Sequence, residues 1–182
     1  MKVNAIIAID PGHSNGGIVI KTDSTIDTYK MPKDMKDLRD ILQPYKDNYN
    51  PIAFVEKLSI RTDDIDMGAG DKKAAMGKLF RIQTMMANFE HLKAILETMD
   101  IPFILVHPMK WQSGLNLRIK GEDKAERKRR YKEIAQAHNP QIKVTLWNSD
   151  ALLIKEFGEY ALVNLEKWMK AQLPERERYK VF

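Results

Sequence analysis

Three acidic residues stand where regular backbone would hold them rigidly. Asp10 ends the apolar run Val3–Ile9, Glu56 ends the apolar run Ile52–Val55, and Asp150 opens a largely apolar segment with helical character. Magnesium is a hard ion that takes oxygen ligands, commonly one or two carboxylates plus water and substrate phosphate. In phosphodiester hydrolysis two such ions, about 4 Å apart, activate the attacking water and stabilise the leaving oxygen. Carboxylates carried on separate rigid elements therefore point to a magnesium cluster and to DNA cleavage. Each acid alone has a plainer reading. Asp10 before Pro11 and Gly12 starts a turn, Glu56 is a surface charge, and Asp150 complements the dipole of a helix N-terminus. Their joint placement, at two strand ends and one helix start, favours the metal cluster.

Positioning those acids requires strands that lie side by side. Val3–Ile9, Gly16–Lys21 and Ser24–Tyr29 read as strands of a meander; Ile52–Val55, Phe103–Val106 and Ile142–Leu146 read as later, shorter strands. Helical spacing marks Lys33–Leu42, Ala74–Met99, Glu122–Ala137 and a last segment from about Asp150 to Ala171, with Asn148 or Ser149 as its cap. A meander followed by strand–helix alternation implies an α/β domain, a mixed sheet with helices on its faces. In such sheets, sites form beyond the carboxyl ends of neighbouring strands. Asp10 and Glu56 share one crevice if their strands are neighbours. With no linker, repeat or low-complexity tract, residues 1–182 form a single domain with a C-terminal helix and a short basic tail.

The order of motifs resembles RuvC-like Holliday junction resolvases, including phage-type forms. Ala8-Ile9-Asp10-Pro11-Gly12 followed by Gly16-Gly17-Ile18-Val19-Ile20 is similar to their opening, and Phe54-Val55-Glu56 to their second acidic motif. Ser149-Asp150-Ala151-Leu152-Leu153-Ile154 resembles their C-terminal helix. His107-Pro108-Met109-Lys110-Trp111 and Gly121-Glu122-Asp123-Lys124 look like the segment that carries two lysines near the scissile phosphate. The resemblance implies an RNase H-like mixed five-stranded sheet flanked by helices, a homodimer, and paired nicks in a four-way DNA junction with magnesium or manganese. It makes Asp10, Glu56 and Asp150 metal ligands and brings Lys124 and Lys110 to the phosphate. One position departs: the family carries a fourth ligand, Asp or His, three residues before the last Asp, and Trp147 stands there. The side-chain carbonyl of Asn148 is the nearest substitute.

Net charge is +5, which suits a polyanionic partner. Much of that charge lies in residues 118–132, with Arg118, Lys120, Lys124, Arg127, Lys128, Arg129, Arg130 and Lys132 against Glu122, Asp123 and Glu126. Such a run is either a solvated helix face or a phosphate-tracking patch. Beside the acids it reads as DNA-binding, through Lys110, Arg118, Lys120, Lys124, Arg127, Lys128 and Arg130, and binding would be strongly salt-dependent. Ala75, Leu79, Ile82, Met86, Phe89 and Leu96 form an apolar stripe on the long helix. Met76, Met85, Leu92 and Ile95 widen it, leaving surface for a second subunit across the helix 74–99. Trp111 packs under the lysine segment or stacks on a base, packing being the ordinary role. The loop Leu58–Lys73 holds Asp63, Asp64, Asp66 and Asp71 without calcium-loop spacing, and His13, His91, His107 and His138 show no paired metal spacing.

The chain contains no cysteine, which excludes disulfides and thiolate metal sites and fits a bacterial or phage-infected host cytosol. No apolar run reaches the roughly 20 residues of a membrane helix. Rival functions are a related nuclease acting on flaps, other branched DNA or hybrids, and a junction-binding protein with an impaired metal site. An actin-like ATPase is a further rival, but no phosphate-binding loop with Lys and Ser or Thr is present.

Overall fold

The computed structural model describes residues 3–12, 16–58 and 72–164, the side chains of 72–74 excepted. The Asp-rich loop, His13, the extension of the last helix to Ala171 and the basic tail lie outside the described residues. In chain order the elements are β1 (Ala5–Asp10), β2 (Gly17–Thr22), β3 (Ile26–Lys30), α1 (Met35–Asn48), β4 (Pro51–Glu56), α2 (Lys72–Thr98), β5 (Phe103–Val106), α3 (Pro108–Gly114), α4 (Lys124–His138) and α5 (Ser149–Val163).

One five-stranded sheet runs β3-β2-β1-β4-β5. β1, β2 and β3 pair antiparallel as the meander, while β4 and β5 add in parallel to β1. This is the mixed sheet that the alternation of elements implied. Successive side chains of a strand face opposite sides, and here both faces are covered. Ile7, Ile9, Ile18, Ile20, Ala53 and Val55 pack with Leu38 and Leu42 of α1 and with Phe89, Leu92 and Leu96 of α2. Ile6, Ala8, Val19, Ile52 and Phe54 pack on the opposite face against α5, with α3 and α4 adding Trp111, Tyr131 and Ala135.

Local signals set the helix starts. Asp34 accepts the Lys36 amide at 2.7 Å, and Asp123 accepts those of Ala125 and Glu126 at 2.7 and 2.9 Å. α1 runs past Pro44 to Asn48, six residues beyond the expected end at Leu42. The expected strand Ile142–Leu146 does not form. Three of its five amides bond locally instead: Ile142 donates to the Asn139 carbonyl, Val144 to Gln136 Oε1 and Thr145 to Asn148 Oδ1. An apolar run with most of its donors paired locally has few left for a ladder. The α2 stripe also divides. Phe89, Leu92 and Leu96 are buried, but Met76, Leu79 and Phe80 in the first turns stay exposed. Among the described residues no helix is long and apolar enough to cross a membrane.

α5 lies against the sheet because Gly158 lets it approach. A Cβ at Gly158 would stand 2.8 Å from Phe54 Cδ2, whereas one at Gly77 in α2 would meet nothing within 4 Å. Gly158→Val is expected to cost about 1–3 kcal/mol in denaturant unfolding through overpacking. Gly77→Ala is expected to gain up to about 1 kcal/mol from helix propensity. Equal effects at the two positions would show that the α5–sheet approach is slack.

Candidate active site

The two-residue period of the strands decides which face the acids take. Asp10 follows Ile6 and Ala8, and Glu56 follows Ile52 and Phe54, so both carboxylates project on the α5 side. The β1–β4 register pairs Ile9 with Val55, which leaves Asp10 and Glu56 side by side one step later, at the carboxyl ends of neighbouring parallel strands. Asp150, in the first turn of α5, comes down on the same edge. The three acids sequence reasoning singled out are thus brought together from three elements. Asp10 and Asp150 are 9% and 6% exposed.

Each carboxylate is held by a separate partner. Gly12 N–H donates to Asp10 Oδ1 at 3.1 Å, within the turn that follows β1. The buried Trp111 indole donates from Nε1 to Glu56 Oε1 at 3.1 Å. Ser149 Oγ donates to Asp150 Oδ1 at 3.3 Å, and the Lys128 ammonium pairs with Asp150 Oδ2. Burial raises the Asp10 carboxyl to about 6, with the Asp150 charge adding to the rise and Lys128 and the Gly12 amide opposing it. Burial raises Glu56 further, to about 8, reinforced by Asp10 and Asp150 and opposed by Trp111 and Lys128. Burial works against the Lys128 ammonium, but Asp150, Asp10 and Glu56 outweigh it and raise its pKa. Like charges forced together out of water produce these shifts.

The donors are the hard oxygens a divalent ion takes, yet they do not close into a ligand shell as they stand. Among the described residues no group of three or more His, Asp or Glu side chains is spaced to hold a metal. Among the described residues, Lys128 pairs with Asp150 and its charge also acts on Asp10 and Glu56. At the position of the missing fourth ligand, the half-buried Trp147 packs against the start of β2. A Cβ at Gly17 would lie 2.6 Å from the Trp147 carbonyl oxygen and 3.0 Å from its ring. Asn148 does not replace the ligand. Its Oδ1 accepts from Thr145 N–H at 2.7 Å and its Nδ2 donates to the Lys143 carbonyl at 3.2 Å, so the amide closes the turn before α5. Nor does it cap the helix with its side chain.

The basic residues separate into groups. Lys110, Arg118, Lys120 and Lys124 are exposed and Arg127 is half-buried, and Arg118 and Arg127 line one cavity with Glu56. Lys128, four residues beyond Lys124, is the lysine that reaches the acids. Arg130 is engaged within the fold. Its guanidinium grips Glu122 at 2.6 and 2.7 Å and the Leu117 carbonyl at 2.6 Å, which ties α4 to the segment before it. Trp111 takes the packing role, edge-on to Tyr131 at 5.6 Å between ring centres. His107 accepts the Met109 amide at 3.3 Å, and His138 pairs with Glu156 at 2.8 Å.

Sequence reasoning missed the Trp111–Glu56 hydrogen bond and the ion pair of Lys128. A signal for the second was present: Lys128, Tyr131 and Ala135 follow helical spacing, and a stripe ending in two buried residues turns Lys128 inward.

No protein-family model and no curated protein sequence matches the chain significantly. Solved structures do share its fold. A RuvC of Thermus thermophilus in complex with a Holliday junction substrate is similar with a TM-score of 0.55 and 11% identity, over 88% of this chain and 96% of that one. A second T. thermophilus RuvC structure is similar with a TM-score of 0.51 over the same shares, again at 11% identity. The fold is an RNase H-like α/β fold.

The raised acids predict a pH dependence in chelator-treated protein. Asp10 and Glu56 bind protons more tightly folded than unfolded, so their contribution is full below the ordinary values of 3.8 and 4.5. It is lost as pH rises through about 6 for Asp10 and about 8 for Glu56. The Tm should fall across this window, and Glu56→Gln should flatten its upper half. Parallel Tm–pH profiles for the two proteins would show that Glu56 ionises as freely folded as unfolded.

Proposed function

We propose that the chain is a divalent-metal-dependent endonuclease that hydrolyses phosphodiester bonds in branched DNA, with the four-way junction as its substrate. The observation that carries this reading is the meeting of Asp10, Glu56 and Asp150 at one sheet edge. A fold shared with a RuvC solved on a Holliday junction supports the choice of substrate.

The residues fit a magnesium or manganese ion in donor chemistry: three carboxylates, when ionised, carry more negative charge than Lys128 balances. A bound ion supplies charge neutralisation and activation of the attacking water. The chain's own groups do the positioning. Trp111 fixes the Glu56 carboxylate, the Gly12 amide turns Asp10, and Ser149 orients Asp150. Lys128 holds a positive charge at the cluster and, released from Asp150, would face a scissile phosphate. Lys110, Arg118, Lys120 and Lys124, exposed, and Arg127, half-buried, are the cations that would track flanking phosphates. Exposed Met76 and Phe80 on α2, 62% and 70% accessible, are the surface across which a second copy would pair.

Purified protein should nick a labelled four-way junction in magnesium. Asp10→Asn, Glu56→Gln and Asp150→Asn should reduce this to background, and Lys128→Met should lower the rate by ~10²–10³-fold, as for loss of one charge-stabilising group. Full cleavage by Asp10→Asn would sink the proposal, and equal cutting of flaps or linear duplex would redirect the substrate. A second reading, a junction-binding protein with an impaired metal site, is favoured by Trp147 and the committed Asn148. Tight junction binding without turnover in magnesium or manganese would establish it. For the dimer, sedimentation should give twice the chain mass, and Phe80→Glu should return it to one; a wild-type monomer that still makes paired nicks would exclude the α2 interface.

A further inference from the structure

Beside the acid cluster lies a cavity of about 400 Å³, within the range of small-ligand sites. Glu56 forms one edge of it, so it adjoins the place where a phosphate would be cut. Its walls join two chemistries. Met109 and Ile119, 48% and 57% exposed, present apolar surface. Arg118 and Arg127 add positive charge, and Gln112 adds an amide.

Tyr131 also lines the cavity and is only 1% exposed. Its hydroxyl is the one buried side-chain polar atom among the described residues that has no hydrogen-bond partner. A buried hydroxyl left unpaired is costly and calls for a partner. Trp111, packed edge-on to the Tyr131 ring and bonded to Glu56, connects this wall directly to the acids. A ligand with a flat apolar face, hydrogen-bonding edges and an attached anion matches such a lining. In a DNA strand, that ligand is an unstacked nucleotide.

Building on the nuclease reading of the adjoining acids, we propose that this cavity receives a nucleobase extruded beside the scissile phosphate. Met109 and Ile119 cover its face, Tyr131 Oη and Gln112 meet its edge, and Arg118 and Arg127 hold the flanking phosphates. Reading a base outside the stack gives a cut-site preference that junction shape alone does not supply.

The test uses a four-way junction carrying 2-aminopurine at successive positions beside the mapped cut, bound by Asp10→Asn protein. Fluorescence should rise several-fold at one position as the base leaves the stack. Adding Ile119→Asp should remove that rise while a gel shift still shows the junction bound. In cleaving protein, Tyr131→Phe should bring the rate ratio between base identities at that position toward unity. A bound junction with no fluorescence rise, a rise that survives Ile119→Asp, or an unchanged rate ratio in Tyr131→Phe would each overturn the base-pocket assignment. Failure of the Asp10→Asn protein to bind the junction would instead overturn the nuclease reading beneath it.

Discussion

The parallel pairing of β1 with β4 is the constraint on which the site depends. Ile9 lies opposite Val55, and both strands end one residue later in an acid. Because strand side chains alternate, a slip of one residue would turn Glu56 toward α1 and α2 and away from Asp10. The slip is resisted by burial on both faces, since it would also drive Ala53 and Val55 to the wrong side. The same apolar packing that stabilises the sheet thus sets the relation between two acids that repel one another.

That repulsion is an electrostatic load carried by a scaffold built from other interactions. Raised carboxyls at Asp10 and Glu56 mark the strain of placing like charges out of water. Lys128, Trp111 and the Gly12 amide relieve part of it, each from a different part of the chain. Ionised, the three acids outnumber the one cation paired among them. Groups whose fields oppose folding are found where chemistry is done.

Helix packing extends the same logic outward. Gly158 and Gly17 allow α5 and Trp147 to close on the sheet, which seats Asp150. Arg130 clamps Glu122 and the Leu117 carbonyl, so the chain segment bearing Arg118 and Ile119 is tied to α4. Beyond the acids, this clamped region supplies Arg118, Ile119, Arg127 and Tyr131 to the cavity wall, and β4 and α3 supply Glu56, Met109 and Gln112. α2 does two jobs: its later turns fill the core beneath the sheet, and its first turns leave Met76 and Phe80 uncovered.

Much of this was legible in the residue order, where the physics is local. Alternating and continuous apolar runs marked β1, β2, β4 and β5, helical spacing over Glu122–Ala137 marked α4, and the acids stood at strand ends and a helix start. What local pattern could not decide was where each polar group finds its partner. Ile142–Leu146 has strand composition, but Gln136, Asn139 and Asn148 claim three of its amides. Arg130 looks like its basic neighbours until Glu122 and the Leu117 carbonyl are seen to hold it. Lys128 rather than Lys124 meets Asp150, and the indole of Trp111 finds Glu56 across 55 positions of sequence. Backbone propensity and hydrophobic period act over a few residues, so the sequence by itself determined the four longer helices, most of the strands and the acids they carry. Hydrogen bonds and ion pairs between distant segments exist only once the sheet and helices have packed, so the tertiary structure alone decided how those acids are held and what stands beside them.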